Sequence, residues 1–82
     1  MKFITAYTIT CRNSSKEHKH YVCFSLFFNK REKSYVIYFE NVLNNEIKEE
    51  KKIAIFFSEK LARKFLNTLL KSVNNNLERF KI

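Results

Sequence analysis

Glycine, proline, tryptophan and aspartate are all absent from this sequence of 82 residues. A chain without glycine cannot form the glycine-rich loop with which many enzymes hold phosphates. Serines and histidines are present, but they fall in or beside one polar loop and not in a recognisable nucleophile motif. An active site also usually needs a sizeable concave pocket, which so small a core can hardly build. The composition therefore predicts a protein that is not an enzyme, with no catalytic residue and no cofactor.

Long apolar runs are also missing. No stretch approaches the roughly 18 to 20 apolar residues that a membrane span needs. The first residues are interrupted by threonines and offer no small-residue cleavage site for a secretory signal. Two cysteines, Cys11 and Cys23, are too few for the disulfide framework of a small secreted domain. We therefore expect a cytoplasmic protein with no membrane partner.

Cys11, His18, His20 and Cys23 form the one set that resembles a metal site, because two cysteines and two histidines can bind zinc. Their spacing is not that of a zinc finger or a zinc knuckle. His20 and Cys23 also have opposite parity on one predicted strand, so their side chains should point to opposite faces. The sequence predicts no metal site here.

Basic residues are abundant, and the formal net charge is +8. Residues 1–35 carry seven Lys or Arg and two Glu, for a net charge of +5. Residues 36–57 carry three Lys and four Glu, a net of −1, and residues 58–82 carry six Lys or Arg and two Glu, a net of +4. Part of the lysine content follows from a composition typical of A/T-rich coding. A surface of this charge nevertheless attracts polyanions, through long-range steering and counterion release.

One long helical pattern begins after Ser58, which is a good N-cap because its hydroxyl can accept a hydrogen bond from a free amide of the first turn. Glu59 then lies favourably at the positive end of the helix dipole. The asparagines at 74–76 favour an end at Asn74 or Asn75, although two later apolar residues keep the same phase. The apolar stripe consists of Leu61, Ala62, Phe65, Leu66, Leu69, Leu70, Val73, Leu77 and Phe80.

Four runs have strand character because they are rich in β-branched and aromatic residues. The second and third flank the polar tetrapeptide at 29–32, whose length suits a hairpin loop. The segment from Asn41 to Lys51 is less determined: Asn44 and Asn45 could turn a hairpin, and the charged residues after them could be helical or extended. The four predicted strands are Phe3–Cys11, His20–Phe28, Lys33–Val42 and Lys52–Phe57.

The hydrophobic pattern also predicts which faces are buried. With Phe28 opposite Lys33, the hairpin collects most of its apolar pairs on one face, and a slip of one residue would exchange the faces. In the first strand, alternation places Phe3 on the same side as Tyr7. In the fourth, it places Ile53, Ile55 and Phe57 on one face.

These elements predict a single α+β domain spanning residues 1–82. Its short connections favour a four-stranded antiparallel meander, with one C-terminal amphipathic helix packed on one face, in the order ββββα.

Basic residues are predicted at both ends of the second strand, with aromatic side chains between them on the face away from the core. Such a surface could stack bases and neutralise phosphates. We therefore predict a non-enzymatic binding protein acting in nucleic-acid metabolism, which binds DNA or RNA backbone through this hairpin surface. The predicted contact residues are Arg12, Lys16, Lys19, Tyr21, Lys30, Arg31, Lys33 and Tyr38.

An alternative function fits the same composition. A small, compact, basic protein without catalytic residues is also typical of an inhibitor made by a phage or other mobile element to block a host nucleic-acid-processing or defence complex. Its basic residues would then contact an acidic protein surface, and its aromatic residues would anchor the interface. In addition, an apolar helix stripe longer than the sheet can cover predicts a homodimer, through the helix end or through the edge of the first strand.

Overall fold

The structure is a computed structural model that describes residues 1–11 and 14–75. It contains one antiparallel sheet in the strand order β1-β2-β3-β4, followed by a single helix. This confirms the predicted ββββα arrangement of the α+β class. The elements are β1 (Lys2–Thr10), β2 (His20–Asn29), β3 (Ser34–Leu43), β4 (Glu46–Phe56) and α1 (Glu59–Asn75).

The helix begins as the sequence predicts. The Leu61 amide donates to the Ser58 side-chain oxygen at 3.4 Å, and the Ala62 amide donates to the Ser58 carbonyl at 3.0 Å. Ser58 is therefore the N-cap. The predicted extension through Leu77 and Phe80 lies outside the described residues.

The core lies between α1 and one face of the sheet. Buried side chains of β2 and β3, including Leu26 and Ile37, pack against Leu66 on the helix. Helical residues three or four apart lie on one side of a helix, which is why Ala62, Leu66 and Val73 all face the sheet. The other members of the buried cluster are Cys11, Val22, Phe24, Phe39, Ala62 and Val73.

The hairpin between β2 and β3 has the predicted faces but a different register. Phe28 lies opposite Tyr35, not opposite Lys33, so the pairing is shifted by two residues. The cause is the loop, which starts one residue later than predicted: the Asn29 side-chain oxygen accepts hydrogen bonds from the amides of Arg31 at 3.1 Å and Glu32 at 3.4 Å. A shift of two preserves side-chain parity, so the core face is unchanged.

Asn44 and Asn45 form the two-residue turn between β3 and β4, with φ angles of 51° and 67°. Two successive left-handed residues define the type I′ turn, for which asparagine is well suited. The charged residues that follow are extended, so β4 begins at Glu46 and is longer than the predicted strand from Lys52.

Bulges in the two edge strands overturn two of the predicted faces. The register of β1 shifts between Phe3 and Thr5, and that of β4 shifts near Ile53 and again between Glu49 and Ile47. Each extra residue reverses the alternation beyond it. Phe3 therefore lies on the face away from α1, whereas Ile53 packs against the core and Ile55 is on the opposite face, paired with Val36.

The helix stripe is wider than the surface that the sheet covers. Ala62 and Val73 are buried, but Leu61 is 54 % exposed and Phe65 is 37 % exposed. No helix within the described residues is long and apolar enough to cross a membrane.

Candidate nucleic-acid interface

Three aromatic side chains form a row on the face of the sheet opposite α1, called here the open face. Phe27 of β2 lies between Phe3 of β1 and Tyr38 of β3, with both pairs of ring centroids 5.6 Å apart. Both contacts are edge-to-face, at interplanar angles of 67° and 83°, which is a favourable geometry for aromatic pairs. This aromatic row crosses three strands and is continued on β4 by Lys52, which pairs with Tyr38.

The aromatic row is partly accessible. Phe3 is 56 % exposed, whereas Phe27 and Tyr38 are half-buried. Beside the row, Val36 is buried and Ile55 is exposed. The rings therefore form a supported apolar surface that remains open to a ligand on one side.

A basic cleft adjoins the aromatic row at one end of the sheet. It has a volume of about 540 Å³. Met1 belongs to both features, because the Tyr38 hydroxyl donates to the Met1 sulfur at 3.9 Å. The cleft is lined by Met1, Lys2, Asn29, Lys30, Arg31 and Glu32.

The cations of this cleft are available for a ligand. Within the described residues, ion pairs join Lys48 to Glu46, Lys51 to Glu49 and Arg63 to Glu59, and none involves the cleft. Three cationic side chains against a single carboxylate leave the cleft with a positive charge. A phosphate group is the kind of ligand that this charge favours.

The second predicted basic cluster lies at the opposite end of the sheet. Lys16 and Lys19 belong to the loop between β1 and β2, which is fastened to the β3–β4 turn by two hydrogen bonds: the Asn44 amide donates to the Lys19 carbonyl at 2.8 Å, and the Lys19 amide donates to the Asn44 side chain at 2.9 Å. Since β2 has ten residues, the two ends are roughly 30 Å apart at about 3.3 Å per residue. The two basic clusters cannot form one compact site.

Between the two ends, the open face becomes acidic. Cys23, Glu40 and Glu50 are directly opposite one another on β2, β3 and β4. Like charges on opposed positions of a sheet are unfavourable, and neither glutamate is in an ion pair with a described residue. Tyr21 lies beyond this line, opposite Val42.

The predicted contact residues therefore separate into two groups. Tyr38 joins the aromatic row, Lys30 and Arg31 line the basic cleft, and Lys33 belongs to the same loop. Lys16, Lys19 and Tyr21 lie at the far end. Arg12 lies outside the described residues.

Sequence reasoning missed three residues of this surface: Phe3, Lys2 and Lys52. Simple alternation places Phe3 on the same side as Tyr7, because it cannot reveal the bulge that separates them. Lys2 reaches the cleft because β1 is antiparallel to β2, which brings its start beside the β2–β3 loop. Lys52 could have been found from alternation, because it is the first residue of the predicted fourth strand and has the opposite parity to Ile53.

The four potential zinc ligands do not come together. Cys11 and His20 are buried on the helix side, with a His20 ring nitrogen 2.8 Å from the Asn41 side-chain oxygen, whereas Cys23 is on the open face and His18 is exposed. Burial raises the pKa of the Cys11 thiol, which disfavours the thiolate that a metal requires. Among the described residues no group of three or more His, Cys, Asp or Glu could hold a metal ion.

A second concave surface lies on the helix side of the sheet. This apolar groove, of about 310 Å³, runs between the outer flank of α1 and β4. The Lys51 ammonium at its rim lies 5.8 Å from the Phe39 ring centroid, and Phe65 packs on Phe56 with ring centroids 5.3 Å apart. The groove is lined by Phe24, Phe39, Lys51, Ile53, Phe65, Leu69 and Val73.

No protein-family model, curated protein or solved structure matches this chain. Functional assignment therefore depends on the chemistry of the surfaces described above.

Proposed function

We propose that this protein is a non-enzymatic binding protein acting in nucleic-acid metabolism, and that it binds single-stranded nucleic acid on the open face. The observation that carries the proposal is the contact between the aromatic row and the basic cleft at Met1 and Tyr38. Bases would stack on the row while phosphates lie in the cleft. Stacking platforms beside a positive groove are typical of proteins that bind single strands.

The order of the features supports one continuous path. Phe3, Phe27 and Tyr38 are on successive strands, which are spaced about 4.8 Å apart, and the row ends at Lys52. A single-stranded nucleic acid lying across the sheet would meet a ring on each of β1, β2 and β3 and a cation, Lys52, on β4, with the basic cleft beside its path. The bases of a duplex are already stacked on one another and cannot use these rings.

The scarcity of arginine supports binding without strong sequence preference. The chain has four arginines, and Arg31 is the one that lines the cleft among the residues that the structure describes. Base-specific readout relies largely on bidentate donors such as the guanidinium group. Lysines act instead as point charges toward phosphates, so the expected selectivity is for the single-stranded state.

The proposal is tested by fluorescence anisotropy of labelled single-stranded DNA, duplex DNA and RNA titrated with the protein over a range of salt concentrations. We expect single strands to bind more tightly than duplex of equal length. The logarithm of the affinity should fall with the logarithm of salt concentration with a slope of roughly −2, as for about three phosphate contacts. Equal affinity for duplex and single strand would reject stacking on the aromatic row.

A second function is favoured by the apolar groove. Phe65 lines the groove and is exposed, as is Leu61 one helical turn before it, and Phe57, just before the helix, is 79 % exposed. Aromatic anchors of this kind dominate protein–protein interfaces. In this function the protein blocks a host nucleic-acid-processing complex, as a phage or mobile-element inhibitor would, with its cations on an acidic surface of the target.

The two functions depend on different residues, so variants separate them. Phe65→Ala should weaken binding to a protein target and leave oligonucleotide affinity unchanged, because the groove and the open face are on opposite sides of the sheet. Phe3→Ala should have the reverse effect. Loss of oligonucleotide binding in Phe65→Ala with the fold intact would contradict this separation.

A further inference from the structure

β4 is an edge strand of eleven residues whose outer side has no neighbouring strand among the described residues. Unpaired backbone groups on such an edge can pair with a further strand. The charged side chains of β4 determine which further strand can pair with this edge. Six of its residues are charged, with three glutamates and two of the three lysines falling between residues 46 and 51.

Most of these charges are already satisfied within β4. Lys48 is paired with Glu46 at 2.7 Å, and Lys51 is paired with Glu49 at 3.0 Å. Glu50 and Lys52, both on the open face, have no ion pair with a described residue. Glu50 is moreover held opposite Glu40, which leaves a negative site on the sheet without a cation.

We propose that two copies of this chain pair through the outer edge of β4, antiparallel, about a two-fold axis that passes between the two Lys51 residues. In this register Glu50 of each copy lies opposite Lys52 of the other. Directly opposed residues of antiparallel strands lie on the same face, so two ion pairs form on the open face. Each added cation also compensates the Glu40–Glu50 pair.

The same register pairs the apolar residues of the edge. Ile47, which is 54 % exposed, comes opposite Ile55 of the second copy, which is 45 % exposed. Both residues lie on the open face, as their pairing with Val42 and Val36 shows. The dimer therefore covers two exposed isoleucines on each copy, which is the apolar burial that a short edge interface can provide.

The two Lys51 residues lie opposite each other at the two-fold axis, but each ammonium group contacts side chains of its own chain. Each Lys51 ammonium is bonded to Glu49 and lies over the Phe39 ring of its own chain. Each of the two like charges therefore has a carboxylate of its own chain as its partner.

Charged residues on an edge strand normally prevent pairing with other strands. They do so for a partner that places no opposite charge beside Glu50 or Lys52. An antiparallel copy of β4 places a lysine beside Glu50 and a glutamate beside Lys52, and these reciprocal pairs favour the second copy. β1 offers no such selection, because Phe3 to Thr10 contains no charged side chain.

Pairing through β4 would place both open faces on one side of an eight-stranded sheet. The row of each copy ends at Lys52, and the two Lys52 residues are offset by two positions, or roughly 7 Å. The two aromatic rows then lie nearly in line across the dimer. This consequence rests on the proposed function, whereas the dimer itself does not.

The dimer is tested by exchanging the paired charges and measuring mass by sedimentation equilibrium over a concentration series. Glu50→Lys alone and Lys52→Glu alone each turn two attractive pairs into two repulsive ones, so each should raise the dimer dissociation constant by about tenfold or more. A mixture of the two single variants restores both pairs, and should form a heterodimer as tight as the wild-type dimer.

Circular dichroism of each variant checks that the fold is kept, and Glu50→Lys should fold well because it removes the repulsion with Glu40. A second variant, Ile47→Lys, should also weaken the dimer, and mixing it with either charge variant should not restore the affinity. A monomeric wild type at high micromolar concentration, or a mixture that associates no better than its components, overturns the proposal. Neither result bears on whether the monomer binds oligonucleotides, which anisotropy measures separately.

Discussion

The open face has two halves that carry similar basic loops but differ in what lies beside them. At one end, Lys30 and Arg31 line a cleft that joins the aromatic row. At the other, Lys16 and Lys19 are followed on the sheet by Tyr21 and then by the line of Glu40 and Glu50. The cations of the first half neighbour an apolar platform, and those of the second half neighbour carboxylates.

This difference shows why a count of lysines is a poor guide to a binding site. A phosphate gains from a cation only where the surrounding field remains positive, and two glutamates on the same surface reduce that field. The first half also has a row of three contacting rings, whereas the second half has the single ring of Tyr21. The two halves therefore predict unequal effects for equal changes of charge.

The largest effect should come from reversing charge in the first half. Changing Lys30, Arg31 and Lys33 together to Glu should weaken single-strand binding by roughly a hundredfold and flatten the slope of the salt dependence by about 1.4, because two of the three cations that line the cleft are lost. Anisotropy titrations measure both quantities.

Two controls carry matched or similar charge changes elsewhere. Reversal of the exposed helix residues Lys60, Lys64 and Lys71 alters net charge equally, and reversal of Lys16 and Lys19 tests the far end. Each should lower affinity by no more than about threefold, through the long-range field alone. If reversal of Lys16 and Lys19 lowered single-strand affinity as much as reversal of Lys30, Arg31 and Lys33, the proposed difference between the two halves would be refuted.

A smaller effect should follow from removing one ring. Phe3→Ala should lower affinity about tenfold, since stacking of one base contributes about 1 to 3 kcal/mol. Tyr21→Ala, in the acidic half, should leave affinity nearly unchanged. Because Phe3 is more than half exposed, its truncation should change the urea midpoint little. Equal losses for the two variants would mean that the aromatic row is not a separate site.

The smallest effect should come from neutralising the acidic half. Glu40→Gln removes the repulsion with Glu50, so the free energy of unfolding should rise by about 0.5 kcal/mol. The weaker negative field should also raise oligonucleotide affinity slightly. Urea denaturation monitored by circular dichroism measures the first effect, with Glu32→Gln in the exposed loop as the control. A decrease in stability would show that Glu40 has a favourable partner that outweighs the repulsion.

The faces of the central hairpin could be predicted, but its register could not. Parity alone places Phe24 and Leu26 in the core, and a shift of two residues leaves parity unchanged. The choice between Tyr35 and Lys33 as the partner of Phe28 was made by the loop, where the Asn29 side chain bonds two amides. Hydrophobic periodicity contains no information on that choice.

The candidate site was predicted in part. Tyr38 and the β2–β3 loop followed from alternation and turn length, since both are local properties of the hairpin. Phe3 did not, because its face depends on a bulge that forms only when β1 is paired with β2. The cleft likewise requires the start of β1 to meet a loop that is distant in sequence.

The sequence by itself determined the order of the elements, the buried face of the hairpin and the start of the helix at Ser58, because each depends on residues that are near one another in the chain. The tertiary structure alone decided that Phe3 completes the aromatic row, that Lys2 joins the basic cleft, and that Glu50 faces Glu40. Those contacts join separate strands, and strand pairing fixes them through bulges and register that no single segment specifies.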